Sequence, residues 1–340
     1  APDTAPKMSR GSILITGCSS GTGLDAALTL RARGWRVFAS CRKASDCELL
    51  KQQGFDSPLV DYSQEETIKA GFAEVIAATG GTLDALYNNG AYGIQSPTEE
   101  LPTAALRELF EANFFGWHTL TQLAIKVMRQ QGPRGRGRIV QHCSGFGLFA
   151  GPFRAAYCAS KHALEAHTQC LRLELADTDI SVSILNTGLI RTMIREKSRI
   201  PFNRWIAPLV ESSAWRSFLK QKTIPRLFGP YVPDPFEDEC PAVTRKVIDA
   251  VESERPKARY YITKLLWLLA FMVRVMTTRA FDAFLLSALL GVKPVHAVAG
   301  DKERIHEVLH PPDKAEHHVT PGEGPKSGEE YIELFRQQKS

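Results

Sequence analysis

Paired cysteines are missing from this chain: its seven cysteines are an odd number, and no two of them stand in a C-x-x-C pair. That pattern serves neither a disulfide framework nor a thiolate metal clip, so reduced thiols in a cytoplasmic setting are expected. No secretory apolar segment precedes the first strand, because "APDTAPKMSRG" is short, polar and proline-containing. Residues 1–10 therefore read as an N-terminal extension. A spanning helix needs about 20 apolar residues, and "LLWLLAFMV", residues 265–273, stops at Arg274. A strong excess of one charge is absent too, the net charge being +5. The densest basic run, "RQQGPRGRGR" (129–138), reads as a solvated loop, so no nucleic-acid partner is expected.

With 44% hydrophobic and 23% charged residues among 340, the chain suits one large α/β domain with an appendage. Apolar runs alternate with helical patterns along it. Seven strands are predicted: "SILIT" (12–16), "WRVFAS" (35–40), "PLVD" (58–61), "LDALYN" (83–88), "RIVQHC" (138–143), "ISVSIL" (180–185) and "ARYYIT" (258–263). Helical periodicity fills the gaps, including one long helix over about 103–130 and another over about 155–177. Strand alternating with helix implies right-handed crossovers, hence a doubly wound α/β fold (a Rossmann fold) with a parallel sheet covered on both faces.

The stretch "TGCSSGTG" (16–23) falls at the first strand-to-helix turn, where such a sheet holds phosphate at a helix N-terminus. There Gly17 permits the tight turn, Gly21 lets backbone approach a pyrophosphate, and Gly23 lets the helix pack closely. Ser19 and Ser20 add hydroxyl donors. Glycine kept for conformation alone is the other reading of such a turn. After the second strand, Cys41 stands where a NAD site would want an acid, and Arg42 and Lys43 follow. Two cations without a carboxylate suit a 2′-phosphate, hence NADP(H) over NAD(H); a solvated Arg–Lys pair is the alternative.

Ser144 follows the fifth strand, and in "YCASK" further on Tyr157 and Lys161 lie four apart and share a helix face. A phenol near pKa 10 is a poor acid–base group at neutral pH. An adjacent Lys⁺ is expected to lower it, and Ser144 to hydrogen-bond a substrate oxygen. Cys143 and Cys158 adjoin this set and Cys18 and Cys41 the Gly-rich turn, so sensitivity to thiol reagents is expected.

These motifs together resemble the classical short-chain dehydrogenase/reductase family, over about residues 10–290. "TGCSSGTG" is similar to the family's cofactor turn, "NNGAYG" (88–93) to its N-N-A-G motif with Gly and Ala exchanged, and "NTGLIRT" (186–192) to its P-G-x-[IV]-x-T segment. The resemblance implies that Tyr157 exchanges the proton, Ser144 orients the carbonyl, and Lys161 binds the nicotinamide ribose and tunes the tyrosine. It implies that Asn113 of "EANFFG" positions a water leading to Lys161. It places Asp61 at the adenine, Asn89 and Gly90 at the adenosine ribose, and Gly188, Ile190 and Thr192 along the carboxamide. Two departures stand out. Thr187 replaces the usual proline, which predicts a loosened turn, and Thr22 replaces a bulky aliphatic, so altered cofactor affinity is expected.

Within the family the segment after the sixth strand forms the substrate lid, here about 193–240. Its Phe202, Trp205, Trp215, Phe218, Phe228, Tyr231 and Phe236, with Phe146, Phe149 and Phe153, suggest an apolar pocket. Packing of the lid onto the core accounts for the same aromatics. The pattern looks like the branch of retinol and hydroxysteroid dehydrogenases and bacterial aldehyde reductases, so a lipophilic aldehyde, ketone or alcohol is expected. The resulting division is a core over 11–192, the lid over 193–240, final helices and a strand over 241–297, and a polar extension over 298–340. The apolar run 265–273 reads as an amphipathic helix covering the lid or lying on a membrane. "ERIHEVLH" and "EEYIELF" read as short docked helices, and His310, His317 and His318 as solvated side chains, with no metal site. A homodimer and a peripheral membrane contact stay open as partners. A regulatory protein that keeps the fold without turnover is the alternative function, and the intact Asn113, Ser144, Tyr157 and Lys161 set discriminates against it.

Overall fold

The sheet is built from short strands that are apolar on both faces, as burial between two helical layers requires. In the computed structural model, which describes residues 10–312, six parallel strands lie in the order β2–β1–β3–β4–β5–β6. They are β1 (Ser12–Ile15), β2 (Arg36–Ala39), β3 (Ala85–Asn88), β4 (Arg136–Ser144), β5 (Asp179–Thr187) and β6 (Arg259–Ile262). Register sets Ile15 beside Ala39 and Tyr87, and Ser144 beside Thr187. The third expected strand, "PLVD", does not form among the described residues. "PLVD" touches the β2 edge only through isolated bridges, Phe38 to Asp56 and Cys41 to Leu59. Pro58 has no N–H to give a ladder, and the Ser57 hydroxyl donates to the Ala39 carbonyl instead (2.6 Å).

Helices α1 (Gly21–Ala32), α2 (Ala44–Gln52), α3 (Glu65–Ala78) and α4 (Thr103–Phe110) precede a π-helical turn at Glu111–Phe115 and helix α5 (Gly116–Met128). The sequence predicted one continuous helix here. A Cβ on Gly116 would meet the Tyr62 carbonyl, and Asn113 spends its side chain on the Tyr92 backbone; the widened turn accommodates both. After α6 (Ala155–Glu174) come α7 (Ile194–Lys197), α8 (Arg199–Trp205), α9 (Arg216–Phe218), α10 (Ile224–Phe228) and α11 (Cys240–Glu252). The chain closes with α12 (Lys264–Val275), α13 (Thr278–Leu290), α14 (Pro294–Ala299) and α15 (Lys302–Leu309). The side chains of α1, α2 and α11 bury one face of the sheet, and those of α3, α5 and α6 the other.

Segment 193–240 has its own small core, in which Phe202, Ile206, Leu219 and Leu227 pack against Ile94, Leu109 and Ala156. Helix α12 does not cover it. Leu266 seats α12 against Gly145 instead, while Trp267, Leu268 and Phe271 are exposed. No helix among the described residues is long and apolar enough to cross a membrane. The "ERIHEVLH" segment is the helix α15, and "EEYIELF" with His317 and His318 lies outside the described residues. His310 is not a solvated side chain: its ring packs on Trp215, centroids 4.5 Å apart.

Under the carboxyl ends of the central strands lies a buried polar knot. Tyr62 donates to Asn88 Oδ1 (2.6 Å), and Asn88 Nδ2 donates to Thr121 Oγ1 and Gln141 Oε1 (both 3.0 Å). Replacing Asn88 by Ala strands several buried polar groups, each worth about 1–3 kcal/mol. Asn88→Ala is expected to lower the urea midpoint accordingly; an unchanged midpoint would show that the knot contributes nothing.

Candidate active site

The Gly-rich turn is held by contacts that only glycine allows. Gly17 has φ +68° and Gly21 φ +61°. A Cβ on Gly17 would sit 2.7 Å from the Gly90 Cα, and one on Gly23 would sit 2.5 Å from the Gly17 carbonyl oxygen. Asn89 fastens the same turn, its Nδ2 donating to the Thr16 carbonyl (3.0 Å) and its Oδ1 accepting from Thr22 Oγ1 (2.8 Å). So Thr22 works as a polar tie in place of the family's apolar contact. Asn89 in turn is a clamp on the turn. The α1 N-terminus behind it carries no side-chain cap and no acidic residue in its first turn. Its N–H groups are thus left for an external anion.

A cleft of about 460 Å³ opens from this turn toward Tyr157. Gly17, Ser19, Ser20, Gly21, Thr22, Arg42, Asp61, Asn89 and Gly90 line it together with Ser144, Tyr157, Lys161, Gly188, Ile190 and Thr192, and Thr192 stands against Gly21. Four expected site residues stand behind the wall. Gly23 serves helix packing as described. Cys41 is buried, 1% exposed, in the apolar core beside Cys47, and Lys43 is the N-cap residue of α2. Asn113 lies in the π-helical turn, where it accepts from the Tyr92 N–H (3.1 Å) and donates to the Tyr92 carbonyl (2.9 Å).

Lys161 is buried; its Nζ donates to the His142 carbonyl (2.9 Å) and stands 4.4 Å over the Trp117 ring. Burial pushes its pKa down to about 8. Tyr157 corrects one expectation. Burial pushes the phenol up, and the Ser144 hydroxyl opposes that without overcoming it. Lys161 Nζ stands 5.7 Å from the centre of the Tyr157 ring while donating to the His142 carbonyl. Ser144 Oγ accepts from the Phe146 N–H (3.2 Å), and its hydroxyl also hydrogen-bonds the Tyr157 phenol.

Several groups at the site gave no sequence signal, because distant segments bring them in. Lys197 of α7 donates to Ser20 Oγ (2.7 Å) and Ser19 Oγ (3.3 Å), laying a cation on the Gly-rich turn. Burial, with Arg42 nearby, pushes its pKa down to about 8. His142 joins three strand ends: Nδ1 lies 2.7 Å from the Tyr87 hydroxyl, Nε2 lies 3.2 Å from Thr187 Oγ1, and burial pushes its pKa down to about 3. It is a neutral strut. Thr187 does not loosen a turn: it ends β5 opposite Ile262 and donates to the Cys143 carbonyl (3.1 Å). Of the aromatics expected to make an apolar pocket, only Phe146 and Tyr231 line the cleft. The others pack, as Phe153 does on Phe218 with centroids 4.4 Å apart, or face outward, as Phe236 does at 74% exposure.

A family model described as short chain dehydrogenase matches residues 12–201. The chain is 37% identical over 279 residues to an Escherichia coli protein described as uncharacterized oxidoreductase YbbO, covering 82% of this chain and 95% of that one. It is 29% identical over 271 residues to human retinol dehydrogenase 5, covering 75% and 82%. A crystal structure of a short-chain dehydrogenase from Streptomyces avermitilis shares the fold with a TM-score of 0.62 at 24% identity, covering 78% of this chain and 92% of that chain.

The thiols near the site are shielded from solvent. Cys18, Cys41, Cys143 and Cys158 are buried; burial raises Cys18, Cys143 and Cys158, and the hydrogen bond with Cys47 followed by burial raises Cys41, while Cys170 is exposed. Brief treatment of the native protein with iodoacetamide, followed by peptide mass spectrometry, is expected to label Cys170 first. Early labelling of Cys143 or Cys158 would contradict the burial seen here.

Proposed function

The chain belongs to the short-chain dehydrogenase/reductase family, in its retinol-dehydrogenase-like branch, and from that premise we propose an NADP(H)-dependent oxidoreductase acting on a lipophilic aldehyde, ketone or alcohol. The observation that carries this reading is one cleft shared by an anion-ready glycine turn and by Ser144, Tyr157 and Lys161. The residues fit a dinucleotide. The uncapped α1 N-terminus and the Lys197 ammonium suit a pyrophosphate. Arg42 reaches the same end of the cleft and suits a 2′-phosphate. When bound, the nicotinamide supplies or takes the hydride at the carbonyl carbon.

The chain's own groups handle the oxygen. Ser144 turns its hydroxyl from the Tyr157 phenol to the carbonyl oxygen and so holds it beside Tyr157. Because burial keeps the phenol protonated, Tyr157 is in the donor form that reduction needs, and it passes its proton to that oxygen as charge develops there. Lys161, held by the His142 carbonyl and the Trp117 face, presents a cation to the ribose. Asn113 keeps the π-helical turn and the Tyr92 loop in register, a positioning role that engages its side chain with the Tyr92 backbone and with Ser160 Oγ. Residues 193–240 act as the lid, and Ile94, Met193 and Ile200 give the apolar part of the wall. The exposed apolar side of α12 is the surface available for a peripheral membrane contact or a second copy.

Removing the phenol oxygen should stop turnover while the ring keeps its packing. Tyr157→Phe is expected to lose at least about a thousandfold in kcat with NADPH affinity nearly unchanged. A variant within about tenfold of wild type on its best carbonyl substrate would refute the proton assignment.

Charge on Lys197 should govern cofactor affinity. Its pKa near 8 means that it is cationic below that pH and neutral above, so NADPH affinity should fall as pH rises through about 8. Lys197→Met is expected to weaken NADPH binding roughly tenfold at pH 7, as loss of a charge-assisted bond would, and to flatten the alkaline limb. Arg42→Ala should cut the NADP(H) over NAD(H) ratio of kcat/KM by about tenfold or more. Fluorescence titration of both cofactors across pH tests this; a wild type preferring NADH, or an unaltered limb in Lys197→Met, would refute it.

A further inference from the structure

The cleft carries more cations than the proposed cofactor uses, and most of them are spoken for. Arg195 and Arg226 share Asp234, at 3.1 Å and 2.7 Å. Arg204 pairs with Glu108 at 3.0 Å, although its side chain is largely exposed. Two cleft cations have no hydrogen bond or ion pair among the described residues, Arg42 and Arg154. Arg42 stands at the Gly-rich end. Arg154 stands at the other, three residues before Tyr157.

Local backbone sets Arg154 there at some cost. Phe153 takes φ +59°, a left-handed conformation that a bulky residue seldom adopts. Its ring stack on Phe218 and its edge contact with Trp215, centroids 5.2 Å apart, hold it so. The turn delivers Arg154 at the N-cap of α6, on the cleft side. There the guanidinium is influenced by Tyr157 and Cys158 and by the cations of Arg226 and Arg195, and desolvation pushes its pKa down to about 10. It stays charged at neutral pH. A charge with no partner in a partly desolvated wall is costly unless a ligand supplies one. The single carboxylate of Asp234 is already divided between Arg195 and Arg226.

We propose that Arg154 is the core of an anion subsite beside Tyr157, so that the preferred substrate is a carbonyl compound bearing a carboxylate or phosphate group. This rests on the reading of the cleft as a carbonyl-reducing site and names the polar half of its substrate. The guanidinium fork fits both anions bidentately, with Arg226 and Arg195 adding positive potential behind it. Ile94, Met193 and Ile200 would take the apolar remainder. The substrate is then amphiphilic: oxygen at Ser144 and Tyr157, anion at Arg154, hydrocarbon along the lid.

The test compares matched pairs with saturating NADPH: levulinate against methyl levulinate, and hydroxyacetone phosphate against hydroxyacetone. Wild type is expected to favour the charged member of at least one pair by about tenfold or more in kcat/KM, and the better pair tells carboxylate from phosphate. Arg154→Gln should erase that preference while leaving methyl levulinate and hydroxyacetone within about threefold of wild type, with Arg154→Lys intermediate. Equal treatment of charged and neutral members by wild type would overturn the subsite without need of any variant. An equal loss on both members in Arg154→Gln, with a displaced pH profile, would overturn it in favour of an action through Tyr157. Calorimetric titration of the same compounds separates this inference from the reading beneath it. Binding of the charged members that Arg154→Gln abolishes, with no turnover of any carbonyl, would sustain the subsite and sink the oxidoreductase reading.

Discussion

The constraint on which the cleft depends is backbone against backbone. The Gly17 carbonyl occupies the place a Cβ on Gly23 would need, and the Gly90 Cα the place a Cβ on Gly17 would need. With those three positions free of side chains, the turn after β1 can lie directly on the turn after β3. Asn89, Thr16 and Thr22 then lock the pair through short polar ties. Because parallel strands all end on the same side, that contact fixes where the ends of β4 and β5 stand, and with them Ser144 and the loop from Gly188 to Thr192. The cleft is what remains between.

Burial, more than pairing, sets the electrostatics of this cleft. Lys161 and Lys197 are each depressed to about 8, the Tyr157 phenol is raised, and His142 is kept neutral near 3. Each shift has desolvation as its leading cause, which favours the uncharged form of acid and base alike. For a phenol this means a retained proton, and for the lysines a charge that is lost as pH rises through about 8. The chemistry proposed for the site therefore runs with the environment in the reductive direction. His142 shows the structural use of the same effect, since a neutral imidazole can both donate and accept among Tyr87, Asn89 and Thr187 without bringing a charge into the wall.

Lid and core are also joined by charge. Lys197 comes from α7 yet bonds the two serines of the Gly-rich turn. Thr192, at the base of the same segment, stands 3.5 Å from where a Cβ on Gly21 would lie. One short stretch thus meets the cofactor end of the cleft, while Arg195 and Arg199 of the same stretch brace α10 and its loop through Asp234 and the Leu227 carbonyl. An anion arriving at the turn would meet groups that also hold the lid's frame.

The sequence by itself determined the order of elements, the glycine turn and the Ser144, Tyr157 and Lys161 spacing, because each is local: a two-residue or four-residue period and a positive φ are written in neighbouring residues. Even the π-helical turn had a trace in Gly116, although its partner Tyr62 did not. What failed was whatever depends on where a side chain goes after folding. Cys41 looked like a cofactor position and is core; the lid aromatics looked like pocket and mostly pack; "PLVD" looked like a strand and lost its ladder to a proline and a serine hydroxyl. Only the tertiary structure brought Lys197 to Ser19, 178 positions away, and put Arg154 in the wall with no side-chain hydrogen bond or ion pair among the described residues. Periodicity is carried by the chain, but desolvation and partner choice belong to the space between segments, and that space exists only once the chain has closed.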